Sequence, residues 1–223
     1  MIIAKDVSKV YHIEEQEVRA LDGVNVSIKD GEFVIIIGRS GSGKSTLLSV
    51  LGGLTRPSSG NIEFDGRELW SMSDRDLSVL RSHRIGFVFQ FPGLLPTLTA
   101  HENVMLPTIF TEAKEKPGKK ARALLASLGL EDKGSCYPHQ MSGGELKRAS
   151  IARALMNDPS VILADEPTGD LDAETEMEIM DEFKKINQQG RTIIMVTHNP
   201  DLSTYASSVL RMEKGKMRNV GVV

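Results

Sequence analysis

A glycine-rich segment that ends in lysine and serine is the part of this sequence with the clearest chemistry. It matches the phosphate-binding pattern G-x-x-x-x-G-K-[ST] and directly follows the apolar run Phe33–Ile37. Glycines let the backbone curl so that successive N–H groups point at phosphates, and the helix expected to begin near Lys44 adds the positive end of its dipole. Lys44 is expected to reach the β- and γ-phosphates, and the Ser45 hydroxyl to bind Mg²⁺. The sequence therefore predicts a nucleoside triphosphate site formed by Gly38, Arg39, Ser40, Gly41, Ser42, Gly43, Lys44, Ser45 and Thr46.

Two carboxylates stand at the end of a second apolar run. Asp165 and Glu166 follow the segment that begins at Val161, and a nucleotide-binding α/β sheet places its ligand at such strand ends. We expect Asp165 to hold Mg²⁺ through water and Glu166 to act as general base on the attacking water, a role worth roughly 10²–10⁴-fold in rate. A pair of acids can also simply cap a strand at the surface, but beside a phosphate-binding loop the catalytic interpretation is favoured.

Two further polar residues follow strand-like runs. His198 comes directly after the apolar segment 192–197 and is expected at the same sheet edge, as a contact of the γ-phosphate. A single histidine is more often structural, so the strand-end position carries this assignment. Gln90 follows residues 85–89 and is a candidate ligand of the metal or of the attacking water, although by itself it is uninformative.

A second glycine pair, in Ser142, Gly143 and Gly144, precedes a helical run of residues 145–157. Free N–H groups and the positive dipole end make such a start a potential anion site. The plainer interpretation is a serine cap with flexible glycines. Because one nucleotide does not need two cradles, a phosphate at this one would most easily belong to another copy of the chain, with two nucleotides held between two subunits.

The strand patterns predict two kinds of sheet in one α/β domain that spans residues 1–223. Alternating segments at 2–10, 20–28 and 61–64 indicate an antiparallel sheet, whereas the apolar runs at 33–37, 161–164 and 192–196 are typical of buried parallel strands. Between about 97 and 157 the pattern is helical, beginning with a capping box of Thr99 and Glu102. Residues 111–120 are expected to form a solvated loop. Asp172 is expected to cap a helix over 173–189 whose core stripe is Met177, Met180, Phe183 and Ile186.

Composition limits the classes of protein to consider. With 27 basic and 30 acidic residues and a net charge of −3, the chain is not expected to bind nucleic acid. One cysteine forms no internal disulfide, and the N-terminus lacks the features of a signal peptide, which favours the cytoplasm. No apolar run reaches the roughly 20 residues that span a bilayer, so a membrane role would need a separate protein.

Taken together, these motifs and their order resemble the ATP-binding subunit of an ABC transporter over essentially the whole chain. The resemblance implies a phosphate-binding-loop (P-loop) NTPase core with an antiparallel β subdomain and an inserted α-helical subdomain. It also implies ATP and Mg²⁺ as ligands, dimerisation on ATP, and peripheral attachment to the cytoplasmic membrane through a permease. The matching features are Gly38 to Ser45 as Walker A, Gln90 as Q-loop, Met141 to Glu145 as signature, Val161 to Glu166 as Walker B, Asp172 as D-loop, His198 as switch histidine, and Tyr11 as the aromatic that stacks on adenine.

Three segments, the long hairpin from Tyr11 to Leu21, residues 87–90 and residues 98–104, look like those of the lipoprotein-release, macrolide-export and cell-division ATPases, which work with permeases. In that group the segment from Phe91 to Leu98 would receive the permease, although an apolar stretch of this kind could instead be a buried loop. Tyr11 could likewise be an edge-strand residue that packs on the core. Glu145 and Asp170 depart from the residues usual in the family. Because its charge would repel a γ-phosphate, the Glu145 side chain is expected to point away from the nucleotide.

Other functions of the same family remain alternatives. A soluble ABC ATPase could act in DNA repair, translation or iron–sulfur assembly, but the chain has neither a long coiled-coil insertion nor a second cassette. Mechanical signalling to a cell-wall enzyme, with no solute moved, is a third possibility.

Overall fold

Two β-sheets of different kinds share one apolar layer in the structure, a computed structural model that describes residues 1–14, 16–110 and 116–221. The strands in these residues are β1 (Ile2–Ile13), β2 (Gln16–Ile28), β3 (Phe33–Ile37), β4 (Ser59–Phe64), β5 (Arg67–Glu68), β6 (Ile85–Val88), β7 (Val161–Asp165), β8 (Thr192–Thr197), β9 (Ser208–Glu213) and β10 (Lys216–Gly221). The α-helices there are α1 (Lys44–Leu51), α2 (Asp74–Arg84), α3 (Ala100–Met105), α4 (Pro117–Ser127), α5 (Gly143–Leu155) and α6 (Ala173–Gln188).

The first sheet is antiparallel, with strand order β2-β1-β4-β5. This confirms the prediction from the alternating segments, but the hairpin is longer than expected. Tyr11 pairs with Val18 of β2, close to the turn between β1 and β2. Because β1 extends to Ile13, Tyr11 lies near the far end of this strand pair and away from the centre of the sheet.

The second sheet has strand order β10-β9-β3-β8-β7-β6. β3 pairs in parallel with β8 and β9, β8 with β7, and β7 with β6, as the near-continuous apolar runs predict. Ile37 lies opposite Thr197, and Asp165 opposite Val196. The carboxyl ends of these strands therefore meet at one edge of the sheet.

Each face of the parallel sheet has its own apolar layer. Phe33 and Ile35 of β3 pack on one side with residues of α5 and α6, while Val34 and Ile36 pack on the other with α1 and the antiparallel sheet. All four side chains are buried. Successive residues of a strand point to opposite faces, so a strand covered on both sides must be apolar throughout.

The described residues from Ala100 to Leu155 contain only helical elements, which fits the predicted helical segment. Thr99 caps α3 through the expected capping box with Glu102. The loop prediction was wrong for residues 117–120, because α4 already begins at Pro117. Proline suits a first helical position, where its missing N–H has no partner to lose. Residues 111–115 of that predicted loop lie outside the described residues.

The buried face of α6 differs by one position from the predicted stripe. Met180, Phe183 and Ile186 are buried, together with Ile179, but Met177 is 56% exposed. Met177 therefore lies outside the buried face of α6. None of the described helices is both long enough and apolar enough to cross a membrane.

Asn103 of α3 is fully buried and holds the segment that follows β6. Its amide oxygen accepts a hydrogen bond from the Leu95 N–H at 2.7 Å. Its amide nitrogen donates to the carbonyl oxygens of Leu95, Leu98 and Thr99 at 3.0–3.1 Å. A segment without regular structure thus finds partners for its backbone groups in one side chain.

We therefore expect Asn103→Ala to lower the free energy of unfolding by about 1–3 kcal/mol, because buried backbone groups lose their partners. Urea unfolding followed by circular dichroism measures this change. The exposed Asn25, which also bonds to a carboxylate and a carbonyl, provides the matched control, and Asn25→Ala should cost under about 0.5 kcal/mol. Equal losses in the two variants would contradict the role given to Asn103.

Candidate active site

The loop between β3 and α1 leaves the first turn of that helix open. Gly43 caps α1 in a left-handed conformation and, within the described structure, no side chain bonds to the first amide groups of this helix. Four other helices are capped by a side chain, those of Ser73, Thr99, Ser142 and Asp172. Free N–H groups together with the positive dipole end favour an anion at this position.

Two glycines of this loop are required by close contacts. A Cβ on Gly43, whose φ is +103°, would lie 2.2 Å from the carbonyl oxygen of Ala20 in β2. A Cβ on Gly38 would lie 2.4 Å from the carbonyl oxygen of Met212 in β9. The loop is thus pressed between the two sheets, while Arg39, Ser40 and Gly41 remain exposed at its tip.

Lys44 is buried, and its ammonium group is held inside the loop. Nζ donates to the carbonyl oxygens of Gly38 at 2.8 Å and Arg39 at 3.2 Å, and lies 3.4 Å from Glu166 Oε1. The side chain is 6% exposed. A buried ammonium group next to open amide groups concentrates positive potential at the mouth of the loop.

Ser45 and Asp165 meet across the edge of the sheet. Ser45 Oγ donates to Asp165 Oδ1 at 2.9 Å, so the first turn of α1 is joined to the end of β7. Burial raises the pKa of Asp165 above its ordinary value, and the charge of Glu166 raises it further, against the bond from Ser45 and the charge of Lys44. A hydroxyl and a carboxylate at this spacing offer oxygen ligands to a magnesium ion.

Glu166 and His198 form a second pair at the same edge. Glu166 Oε2 accepts from the His198 backbone N–H at 3.1 Å and lies 2.8 Å from His198 Nδ1. Because a carboxylate only accepts, Nδ1 carries the hydrogen and Nε2 is left for another partner. Glu166 itself has a φ of +44°, an unusual value for a residue other than glycine, of the kind that clusters at functional sites.

Gln90 reaches the same region from the loop after β6. A Cβ added to Gly169 would lie 3.9 Å from Gln90 Nε2, which places the amide beside the loop that follows Glu166. The structure thus brings Lys44, Ser45, Asp165, Glu166, His198 and Gln90 to one sheet edge.

Two cations of α5 that sequence reasoning missed hold the loop of Gln90. Lys147 Nζ donates to the carbonyl oxygens of Phe89 at 3.2 Å and Gln90 at 2.6 Å, and Arg153 donates to those of Pro92 and Gly93 at 2.7 Å. Burial lowers the pKa of Lys147 to about 8, against the charge of Asp170. Their acceptors are backbone carbonyls, which no sequence motif marks.

Three predicted nucleotide contacts lie on other elements. Ser142 caps α5 in a capping box with Glu145, whose carboxylate bonds to the Ser142 N–H at 2.8 Å and to Lys133 Nζ at 2.9 Å. Asp172 caps α6 by accepting from Thr175. Tyr11 lies on β1, with Lys9 Nζ 5.0 Å from its ring centroid. The side chain of Glu145 is therefore turned back to the start of its own helix, and its orientation relative to a nucleotide stays a prediction.

Gly143 and Gly144 follow Ser142 in the first turn of α5. A Cβ on Gly144 would meet the Thr175 methyl group at 2.8 Å, and one on Gly143 would lie 3.6 Å from Leu171. This glycine pair therefore packs on the start of α6 within its own chain.

The donor set fits a nucleotide with its magnesium ion. Among the described residues, the Ser42 hydroxyl of the loop is buried and has no hydrogen-bond partner. Within the same residues no group of three His, Cys, Asp or Glu side chains could hold a metal alone. A magnesium ion bound by one or two protein oxygens and completed by phosphates and water agrees with both observations.

The segment from Phe91 to Leu98 is largely open to solvent. Phe91 is 74% and Leu95 46% exposed, while Leu94 packs partly against the core. For Phe91 the alternative of a buried loop was wrong. Exposed apolar side chains therefore lie on a loop whose backbone is held by Lys147, Arg153 and Asn103.

Fold and site together define a P-loop nucleotide-binding protein. Comparison with known families matches residues 21–169 to the ABC transporter family. The lipoprotein-releasing system ATP-binding protein LolD of Aquifex aeolicus is 47% identical over 198 residues, which cover 88% of each chain. The macrolide export ATP-binding/permease protein MacB of Chlorobaculum tepidum is 46% identical over 96% of this chain and 33% of its own length.

Among solved structures, the dimeric ATP-binding cassette MJ0796 bound to ADP and Pi superposes with a TM-score of 0.91, at 39% identity over the whole of both chains. The chain therefore belongs to the ABC transporter family and has the fold of its ATP-binding cassettes. These findings confirm the resemblance drawn from the motifs.

Because the partly buried Asp165 carboxylate has a raised pKa, its charge lowers stability at neutral pH, and we expect Asp165→Asn to melt at a higher temperature without nucleotide. The difference should narrow as the pH falls toward the pKa of Asp165, where the wild-type group also becomes neutral. Calorimetric melting across this pH range measures it. Asp181→Asn, at an exposed site of α6, serves as control and should change little. A lower melting temperature for Asp165→Asn would contradict this account.

Proposed function

We propose that this chain is the ATP-hydrolysing subunit of an ABC transporter, which dimerises on ATP and drives a separate membrane permease. The observation that carries the proposal is a set of three contacts at one sheet edge, between Ser45 and Asp165, Lys44 and Glu166, and Glu166 and His198. It combines an anion-binding helix start, a hydroxyl–carboxylate pair and a candidate base within hydrogen-bond reach of each other.

Binding of the nucleotide rests on the loop and on Lys44. The open amide groups of α1 donate to phosphate oxygens, and Lys44 exchanges its carbonyl contacts for the β- and γ-phosphates. Ser45 and Asp165, with Gln90, are the residues that would hold Mg²⁺, which when bound neutralises charge that develops on the phosphates. Thr46 lies next to Ser45 in the same turn, and Tyr11 stacks on the adenine ring.

Hydrolysis transfers the γ-phosphoryl group to water and yields ADP and phosphate. Glu166 accepts the proton of the attacking water, and its carboxylate is oriented by two bonds from His198. The free Nε2 of His198 contacts the γ-phosphate, and Gln90 positions the water. The low exposure of Glu166, 12%, keeps competing water away from the base.

A second copy of the chain would complete each site. Ser142, Gly143 and Gly144 begin α5 with a positive dipole end, and Asp172 lies at the start of the neighbouring α6. The support for a two-chain arrangement is the cassette MJ0796, which is dimeric and bound to ADP and Pi. In this arrangement the Ser142 segment of one copy faces the nucleotide of the other.

The permease is proposed to dock on the exposed segment from Phe91 to Leu98. The relative MacB is named as an ATP-binding/permease protein, and the match to this chain covers 33% of its length. Docking there would hold the chain at the cytoplasmic face of the membrane. The segment is joined to Gln90 by contiguous backbone, so motion of the nucleotide site can reach the permease.

Glu166→Gln should lower the rate of ATP hydrolysis at least about 100-fold while ATP binding stays intact, because the amide keeps the shape of the carboxylate but takes no proton. Steady-state phosphate release and calorimetric titration with ATP measure the two properties. Gel filtration with ATP should show the variant as a dimer. Hydrolysis by Glu166→Gln at the wild-type rate would exclude Glu166 as general base.

Single variants first distinguish the two possible roles of Ser142, as a helix cap or as a contact to the nucleotide of a second copy. If Ser142 only caps α5, Ser142→Ala should cost about 1 kcal/mol of stability and leave hydrolysis unchanged. If Ser142 acts across a dimer, hydrolysis falls sharply while the fold survives. Lys44→Ala should lose ATP affinity, since it removes the charge that meets the phosphates.

A heterodimer of Ser142→Ala and Lys44→Ala carries both defects in one composite site and neither in the other. We expect ATP-dependent dimerisation to recover in part when the two proteins are mixed, measured by gel filtration. Each variant alone is the control. A Ser142→Ala protein that dimerises and hydrolyses ATP normally would rule out the site across the dimer.

A further inference from the structure

A carboxylate of helix α6 joins the two loops that follow β7 and β8. Glu176 Oε2 accepts from Thr168 Oγ1 at 2.7 Å, and Glu176 Oε1 accepts from Asn199 Nδ2 at 3.0 Å. We call these three residues the Glu176 bridge. No motif considered above includes any of its members.

Each end of the Glu176 bridge lies next to a residue assigned to hydrolysis. Thr168 is 3% exposed and comes two residues after Glu166, and the next residue, Gly169, donates its N–H to the Glu166 carbonyl at 3.3 Å. Asn199 directly follows His198. The bridge therefore connects the backbone segments that carry the general base and the histidine.

The orientation of the Asn199 amide is determined by its contacts. Its oxygen accepts from the Asp201 N–H at 3.0 Å, so its nitrogen must face Glu176. Its own N–H donates to Thr197 Oγ1 at 3.0 Å. A rotated amide would lose the Asp201 bond and place an oxygen against the Glu176 carboxylate.

We propose that Glu176 is a positioning residue for hydrolysis, which sets the location of Glu166 relative to His198 through Thr168 and Asn199. The proposal rests on the proposed function, because it concerns the same reaction. Both bonds have an ionised acceptor and lie in a partly buried place, so they are stronger than bonds between neutral groups at the surface. Loss of the bridge moves the base and histidine apart without touching the nucleotide loop.

This separation predicts a specific kinetic pattern. Lys44 and Ser45 are not part of the bridge, so ATP affinity should be kept when it is broken. The chemical step should slow, because small displacements of a catalytic group reduce rate strongly. The alternative is that the pairing of β7 with β8, including the bond from the Glu166 N–H to Val196 O, already positions both residues and makes the bridge redundant.

Exchanging the amide and the carboxylate tests the bridge directly. Asn199→Asp places two carboxylates against each other, whereas Glu176→Gln can keep both contacts, with its oxygen accepting from Asn199 Nδ2 and its nitrogen donating to Thr168 Oγ1, and loses the charge of the acceptor. In the double variant the amide introduced on α6 would accept from Thr168 and donate to the carboxylate introduced after His198, so both bonds can form again. Glu174→Gln, an exposed acid in the same first turn of α6, controls for the lost charge at the helix start.

We expect kcat for ATP hydrolysis to fall roughly 10- to 100-fold in Asn199→Asp and less in Glu176→Gln, with ATP affinity by calorimetry within about twofold of wild type. The double variant should recover to within about threefold of wild type. Thr168→Val removes the hydroxyl at the other end with little change of shape, and should also lower kcat while affinity stays. Glu174→Gln should match wild type.

Wild-type kcat in both single variants, or a double variant no better than the poorer single variant, would overturn the bridge as a positioning device. Equal losses of affinity and kcat would do the same, because they indicate general disturbance of the site. If Asn199→Asp fails to fold, Thr168→Val decides the matter by the same split between kcat and affinity, because it removes the hydroxyl that donates to Glu176.

Hydrogen exchange separates failure of the bridge from failure of the proposed function. The His198 N–H, which donates to Glu166, should exchange faster without nucleotide in Asn199→Asp and be protected again in the double variant. Hydrolysis by Glu166→Gln at the wild-type rate would contradict the proposed function. Unchanged His198 exchange in every variant would contradict the bridge alone.

Discussion

Parallel pairing of β3, β8, β7 and β6 is the constraint on which the rest of this structure depends. The sheet directs the carboxyl ends of these strands to one edge, with Ile37 opposite Thr197 and Asp165 opposite Val196. A shift of one residue in this register would turn every side chain of a strand to the other face. Because both faces are buried under apolar layers, the register that packs the core is also the register that assembles the site.

The site works against the stability of the core beneath it. Lys44, Asp165 and Glu166 lie together at the top of a buried sheet, where charges lose much of their hydration. The raised pKa of Asp165 shows that its charge is not fully compensated by Ser45 and Lys44. Phosphates and a metal ion would supply opposite charges to these groups, so the ligand would stabilise the fold that binds it.

Polar side chains from helices hold the loops around the site. Lys147 and Arg153 of α5 bond to carbonyls at residues 89–93, Asn103 of α3 holds the chain from Leu95 to Thr99, and Glu176 of α6 joins the loops after β7 and β8. Irregular segments need such partners for their backbone groups. Among these contacts, those of Lys147 and Arg153 hold both Gln90 at the sheet edge and the chain next to the exposed Phe91.

The sequence alone determined the features that depend on local pattern. The phosphate-binding loop, the two sheet types and the caps at Thr99 and Asp172 follow from residue type and spacing, because each arises within a few residues of chain. The predicted roles of the site residues come from the same patterns and stay predictions, while the structure brings Lys44, Ser45, Asp165, Glu166 and His198 to one sheet edge.

Tertiary structure decided the rest. Lys147 lies 57 residues from its acceptor at Gln90, and Glu176 lies 23 from Asn199. A backbone carbonyl is present at every position, so an acceptor of this kind leaves no mark in the sequence. The exposure of Met177 and of Phe91 could likewise not be predicted from the sequence, because an apolar residue gives the same local pattern whether or not another element packs over it. Which contacts form between distant segments depends on how the packed sheets and helices place them, and only the folded chain provides that.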